Sequence, residues 1–157
     1  MLSVRAVPAD TPAARELLTE YFALRAAGFP GGGYRTVLPD PAAFVPPDGE
    51  FLLLENDGAP IGCGGIRRIP AGADGERFEL KHLFVRSSAR GLGGGRILLD
   101  ALETRARELG AAELVLDTHH SLDAAAGLYS SSGFTPIPAY NDNPNATRWY
   151  GKALGAD

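Results

Sequence analysis

Apolar residues at Leu2, Val4 and the pair Ala6–Val7 predict a first strand. Thr11 as N-cap with Pro12 at the first helical position then opens a helix to about Gly28, and Leu17, Leu18, Phe22 and Leu24 form its apolar stripe. Residues 28–49 hold so many turn-formers that they predict a long loop with at most a short helix, of the kind that often serves as a lid or binding loop. Three strand-like runs follow at 50–55, 61–69 and 77–85, separated by Asn-Asp-Gly-Ala-Pro and Pro-Ala-Gly-Ala-Asp-Gly, which predicts an antiparallel meander. Ile97, Leu98, Ala101, Leu102 and Leu109 then recur with helical spacing, and Gly110 ends that helix. A strand near 112–118, a helix near 122–132 and two last strands near 134–140 and 147–154 complete the chain.

This order predicts an α/β fold of mixed type, a largely antiparallel central sheet with helices on both faces. The helix between the third meander strand and the next one makes that pair parallel. The length of 157 residues and the ordinary globular composition, 45% hydrophobic and 22% charged, fit one domain over 1–157.

The net charge of −4 and the lack of a lysine/arginine block argue against a nucleic-acid partner. No secretory leader and no long apolar stretch is legible, so the expectation is a cytoplasmic protein without a membrane partner. Cys63 is the single cysteine and reads as a small buried residue in Ile-Gly-Cys-Gly-Gly. His119 and His120 are adjacent, should point to opposite faces and have no metal spacing with His82, so they read as surface loop and no metal site is expected.

The densest local signal is Arg90-Gly91-Leu92-Gly93-Gly94-Gly95-Arg96, between the third meander strand and the following helix. Glycines there permit φ > 0 or a close approach of ligand to main chain, and a helix N-terminus favours an anion such as phosphate. Two known phosphate loops fail: no lysine with a hydroxyl residue follows, as Walker A requires, and Arg96 stands where a dinucleotide fingerprint needs its third glycine. What remains is an Arg-x-x-Gly-x-Gly hexad, strand before and helix after. With Leu128-Tyr129-Ser130-Ser131-Ser132-Gly133-Phe134, similar to a Leu-Tyr-x-x-x-Gly-Phe segment, it resembles the signature of the GNAT superfamily of N-acetyltransferases. The resemblance extends to nearly the whole chain and implies that superfamily's fold.

It also implies roles. The main chain of Gly91, Leu92, Gly93, Gly94 and Gly95 would hold the pyrophosphate of acetyl-coenzyme A, with Arg90 and Arg96 adding charge, while the backbones of Leu83, Phe84 and Val85 would run along pantetheine. Glu79, expected on the same strand face as Val85, is the candidate base that deprotonates the amine; pairing with Lys81 or Arg77 is its alternative reading. Tyr129 is the candidate proton donor to the leaving sulfur, with packing on the sheet as the alternative. Many members carry an asparagine where this chain has Asp123, which reads here as a helix cap.

The polar hairpin Tyr140-Asn141-Asp142-Asn143-Pro144-Asn145 resembles a Tyr-Asn-x-Asn-Pro segment of a bacterial subgroup, and it makes Tyr140 and Asn141 candidate substrate contacts beside plain turn chemistry. Arg67 suits a carboxylate, and Tyr21, Arg25 and Tyr34 fall where the acceptor site is usually walled. The expected partner is a small-molecule amine, amino-acid-like rather than a basic peptide; a homodimer is left open. The rival reading is a non-catalytic acyl-coenzyme A-binding sensor or interaction module, and a nucleotide-binding protein stands third.

Overall fold

The computed structural model describes residues 1–89 and 91–155, and the roles expected of Arg90 and of the Asp123 side chain lie outside the described residues. A seven-stranded sheet runs in the order β1-β2-β3-β4-β5-β7-β6, from β1 (Leu2–Ala6), β2 (Gly49–Asn56), β3 (Ala59–Gly72), β4 (Gly75–Val85), β5 (Glu113–Thr118), β6 (Thr135–Pro136) and β7 (Arg148–Ala153). Every neighbouring pair is antiparallel except β4–β5, whose connection carries a helix. Helices α1 (Pro12–Gly28), α2 (Gly94–Glu108) and α3 (Asp123–Ser131) complete the fold. None is long and apolar enough to cross a membrane among the described residues.

The strand alternation sorts the core onto two faces. Leu52 and Leu54 of β2 and Phe78 and Leu80 of β4 pack with Leu98, Leu99 and Leu102 of α2 and with Tyr129 of α3. Phe51, Leu53 and Cys63 face the other way and pack on Leu17, Leu18 and Phe22 of α1. Thr11 caps α1 by accepting from the Ala14 N–H, with Pro12 at the first helical position. Leu24 is the one residue of the expected stripe that stays exposed.

Two expectations need correction. The strand foreseen at 134–140 shrinks to Thr135–Pro136, because Pro136 and Pro138 cannot donate to a ladder. Glu79 and Val85 do not share a face. A β-bulge in β4 shifts the register between Gly65↔Lys81 and Cys63↔Phe84, and His82 takes φ +60 there. One extra residue reverses the side-chain parity: Phe78 and Leu80 point to the α2 face before the bulge, whereas Phe84 points to the α1 face after it.

Residues 29–40 have no regular structure, and a short 3-10 turn, Pro41–Phe44, follows with Asp40 accepting from the Ala42 N–H at 3.0 Å. Phe44 is buried against Phe51 and plugs the loop into the α1-side core. At its other end the Phe29 ring lies 5.0 Å from His119, and Asn145 both donates to the Arg35 carbonyl at 2.6 Å and accepts from the Arg35 N–H at 2.9 Å. The loop is thus fastened over the sheet at three points.

Candidate functional site

The parallel pair β4–β5 is registered only through Arg77↔Glu113, Phe78↔Leu114 and Glu79↔Val115. Past Glu79 the bulge turns β4 away, while β5 continues along β7 as far as Thr118↔Arg148, so the sheet splits into a V open at the carboxyl end of β4. The backbone edge left bare there can pair with a ligand's amides, since main-chain donors and acceptors demand partners. A cavity of about 560 Å³ occupies the split. Leu80, Lys81, His82 and Leu83 wall it on the β4 side, Asp117 and Thr118 on the β5 side and Tyr129 from α3; Tyr21 and Arg25 of α1 and Tyr34 of the loop close it.

The glycine segment lies at the same end of β4. Gly91 has φ +89 and Gly93, the residue before α2, has φ +76, and a Cβ on either would meet nothing within 4 Å. These two are glycine for conformation, not for room inside the protein. Gly94 is glycine for packing, because a Cβ there would stand 2.7 Å from the Leu54 side chain. The N-cap residue Gly93 has no side chain to cap α2, so the helix's first N–H groups, which lack helical partners, lie at the positive end of the helix dipole. This cradle fits a pyrophosphate. Arg96 directs its guanidinium elsewhere, to the Ser131 hydroxyl at 2.6 Å and the Ser132 hydroxyl at 3.2 Å, and so ties α2 to the end of α3.

The candidate base has a different setting from the one expected. Glu79 is 1% exposed and is absent from the cavity wall. Its Oε1 accepts from Arg67 Nε at 2.9 Å and pairs with Arg67 Nη2 at 2.8 Å, while its Oε2 accepts from the Tyr140 hydroxyl at 2.7 Å and from Asn141 Nδ2 at 3.4 Å. Lys81 and Arg77, the partners considered from sequence, are engaged with Asp117 and with the Pro70 carbonyl. Arg67 and Tyr140 thus serve a buried carboxylate. Burial pushes the Tyr140 hydroxyl well above the usual phenol range, and the Glu79 charge adds to it.

Two carboxylates do line the cavity, Asp40 from the loop and Asp117 from β5, and Asp117 is the one beside the split. Its Oδ2 accepts from Asn141 at 2.7 Å and from Asn143 at 3.1 Å, and Lys81 Nζ lies 3.5 Å from its Oδ1. Burial by itself would raise Asp117, but the Lys81 charge and these hydrogen bonds win and hold it below the ordinary aspartate value. The asparagine hairpin is built by its own side chains: Asn141 accepts from Trp149 Nε1 at 3.0 Å and Asn143 accepts from the Asn145 N–H at 3.0 Å. Asp117 is a functional candidate that the motifs do not reach; the signal that finds it is a carboxylate following the apolar run Leu-Val-Leu near the end of β5.

Tyr129 lines the cavity from α3 and is buried, its ring 5.9 Å from Phe134 and 6.2 Å from Tyr150. Burial raises its hydroxyl, so it stays protonated at neutral pH and can donate. His120 is exposed in a turn, as expected of a surface loop, whereas His119 departs from that expectation. His119 is buried, and the two rings stack 4.3 Å apart, because Ser121 holds one and Thr147 the other at their Nδ1 atoms. Among the described residues no His, Cys, Asp and Glu group is placed to hold a metal.

Comparison with known proteins agrees with this geometry. The chain is 34% identical over 110 residues, 68% of its length and 70% of the relative's, to an IAA acetyltransferase of Azospirillum brasilense. It is 35% identical over 102 residues, 64% of its length and 61% of the relative's, to an uncharacterised N-acetyltransferase of Schizosaccharomyces pombe. Its fold matches a GNAT-family acetyltransferase from Staphylococcus aureus Mu50 with TM-score 0.80 at 22% identity, over 99% of this chain and 100% of the other. It also matches the PaiA N-acetyltransferase of Thermoplasma acidophilum, crystallised with coenzyme A, with TM-score 0.74 at 18% identity over 98% and 99% of the two chains. The model of the Acetyltransferase (GNAT) family aligns with residues 12–134, a span that holds both the split strands and the glycine cradle. A sheet parted beside an uncapped helix start is thus the family's architecture in this molecule, and the chain is an acyltransferase that belongs to the Acetyltransferase (GNAT) family.

Proposed function

We propose that the protein moves an acetyl group from acetyl-coenzyme A to a primary amine of a small molecule. The observation that carries this reading is the V between β4 and β5, which opens at the end of β4 where the glycine cradle also lies and holds a cavity walled by Tyr129 and Asp117. The main chain of 91–95 would hold the pyrophosphate, and the bare edge of β4 near Leu83 would align the pantetheine arm and polarise the thioester carbonyl.

The side chains then divide the proton traffic. The thioester supplies an activated acyl carbon, and the amine must reach it neutral. Asp117, which lines the cavity, would accept that proton directly or through water, whereas Glu79, paired with Arg67 and Tyr140, is not part of the cavity wall. Tyr129, on the cavity wall, would give a proton to the departing sulfur, its hydroxyl kept neutral by burial. Bound in this way, the amine nitrogen forms the new bond to the acyl carbon as the carbon–sulfur bond breaks.

The test incubates the protein with acetyl-coenzyme A and a pooled library of amino acids, polyamines, aminoglycosides and short peptides, and reads acetylated products by mass spectrometry. The expected result is an acetylated small amine, with Tyr129→Phe lowering kcat about 100-fold while coenzyme affinity is kept. Coenzyme binding without any acetylated product across the library would instead favour the non-catalytic acyl-coenzyme A module.

A further inference from the structure

The cavity wall carries more positive than negative side chains, Arg25, Arg35, Arg67 and Lys81 against Asp40 and Asp117, in a protein whose net charge is −4. Two of these cations are matched within the wall's own surroundings: Arg67 has Glu79 at 2.8 Å and Lys81 has Asp117 at 3.5 Å. Arg35 is exposed at the rim. Arg25 is different. It is half-buried in the last turn of α1, and its partners among the described residues are aromatic: Nη1 donates to the Tyr21 hydroxyl at 3.4 Å, and Cζ lies 5.1 Å from the centre of the Tyr34 ring.

Two other arginines packed beside α1 and α2 receive carboxylates. Arg86 lies between Glu16 at 3.1 Å and Glu20 at 2.9 Å, and Arg105 between Glu50 and Glu108. A guanidinium withdrawn from water without a carboxylate has desolvation to recover, and a bidentate anion is the partner its planar fork fits best. The Tyr34 ring also holds the group in place before any ligand arrives, which lowers the entropy lost on binding. The reach of this charge into the site shows in the phenols around it: burial raises Tyr21 to about 12, and Arg25 opposes the rise there, as it does at Tyr34 and Tyr129.

We propose that the acceptor amine also bears a carboxylate and that Arg25 is the residue that anchors it. This rests on the transferase reading above and moves the anchor from Arg67, whose charge Glu79 already answers, to α1. The cavity then offers a carboxylate, Asp117, for the amine end and Arg25 for the acid end. Phe22, Tyr34, Leu38 and Phe44 present apolar surface to the remainder of the molecule.

The experiment presents the common amino acids and the amines that lack only their carboxyl group, such as phenylalanine against phenethylamine and leucine against isopentylamine, to wild type, Arg25→Gln and Arg25→Lys. Acetylation with acetyl-coenzyme A is followed by mass spectrometry, and the binding of each amino acid by calorimetry, which needs no turnover. In wild type the favoured amino acid should exceed its amine in kcat/KM by about tenfold or more, because a site built for a polar group rejects the analogue lacking it. Arg25→Gln should bring that ratio to within about threefold of one, chiefly through KM, and Arg25→Lys should restore part of it. A wild-type ratio near one, or a ratio that Arg25→Gln leaves standing, overturns the proposal while the transferase reading survives. Amino-acid binding that Arg25→Gln abolishes, in a protein that acetylates nothing, keeps the anchor and overturns the transferase. Neither binding nor acetylation overturns both.

Discussion

The two halves of the sheet are built on different terms. From β1 to β4 the ladder is nearly continuous, β2 is buried along almost its whole length, and α1 and α2 cover opposite faces. From β5 to β6 the strands are short, the last is two residues long, and the halves meet through three paired positions. Where the apolar ladder stops, polar groups take over: Asn141 spans Glu79 and Asp117, and Lys81 reaches Asp117 across the split. The contrast teaches that the site is placed where the strongest form of cohesion is withheld. Paired backbone cannot bind a ligand, whereas a gap bridged by side chains leaves edges and charges available.

That contrast can be broken on its rigid side first. Leu102 is fully buried in α2, and Leu102→Ala should cost about 3 kcal/mol, seen as a fall in Tm of roughly 10 °C. On the other side, Gly93→Val forces a β-branched residue to φ +76 in the cradle. Strain of about 2 kcal/mol should appear as a roughly 30-fold loss of coenzyme A affinity in calorimetry.

A third measurement sharpens the comparison at the bulge. His82 is caged by Tyr21, Phe22 and Phe44, and desolvation, helped by the Lys81 and Arg67 charges, lowers its pKa to about 3. The unfolded chain takes up that proton near pH 6.5 and the folded chain does not. The stabilisation is therefore complete above pH 6.5 and declines by up to about 1.4 kcal/mol per pH unit as pH falls toward 3. Denaturant unfolding between pH 6.5 and 4.5 should show this slope, and His82→Asn, which tolerates the left-handed backbone, should flatten it. His119 is lowered too, by burial first, so the difference between wild type and variant is the quantity to read. Asp117, held below its ordinary value, loses stabilising charge only below about pH 4, outside this window. The smallest effect is expected at the loop. Asn145→Ala removes both of its hydrogen bonds to the Arg35 backbone and should raise the acceptor KM about fivefold with little change in Tm.

Much of this was legible along the chain. Thr11-Pro12, the meander turns, the loop at 28–49 and the helix after the glycines all stand where periodicity and capping placed them, since local signals suffice for such elements. The cradle was legible for the same reason, its geometry being local to one strand end and one helix start. Glu79 shows where that reasoning ends. Its face was inferred from unbroken alternation, and one bulged residue at His82 reversed the parity. His119 shows the same limit, because stacking against His120 depends on Ser121 and Thr147 holding the two rings.

The sequence by itself determined most of the elements, the mixed sheet and the glycine turn before α2, because these follow from periodicity, turn chemistry and a motif confined to a few consecutive residues. Only the tertiary structure decided which charges face the cavity. Arg67 meets Glu79 twelve positions away, Asp117 meets Asn141 twenty-four positions away, and Arg25 is left with Tyr21 and Tyr34. A charge is neutralised or left available by what long-range folding sets beside it, and no local pattern in a chain encodes that pairing.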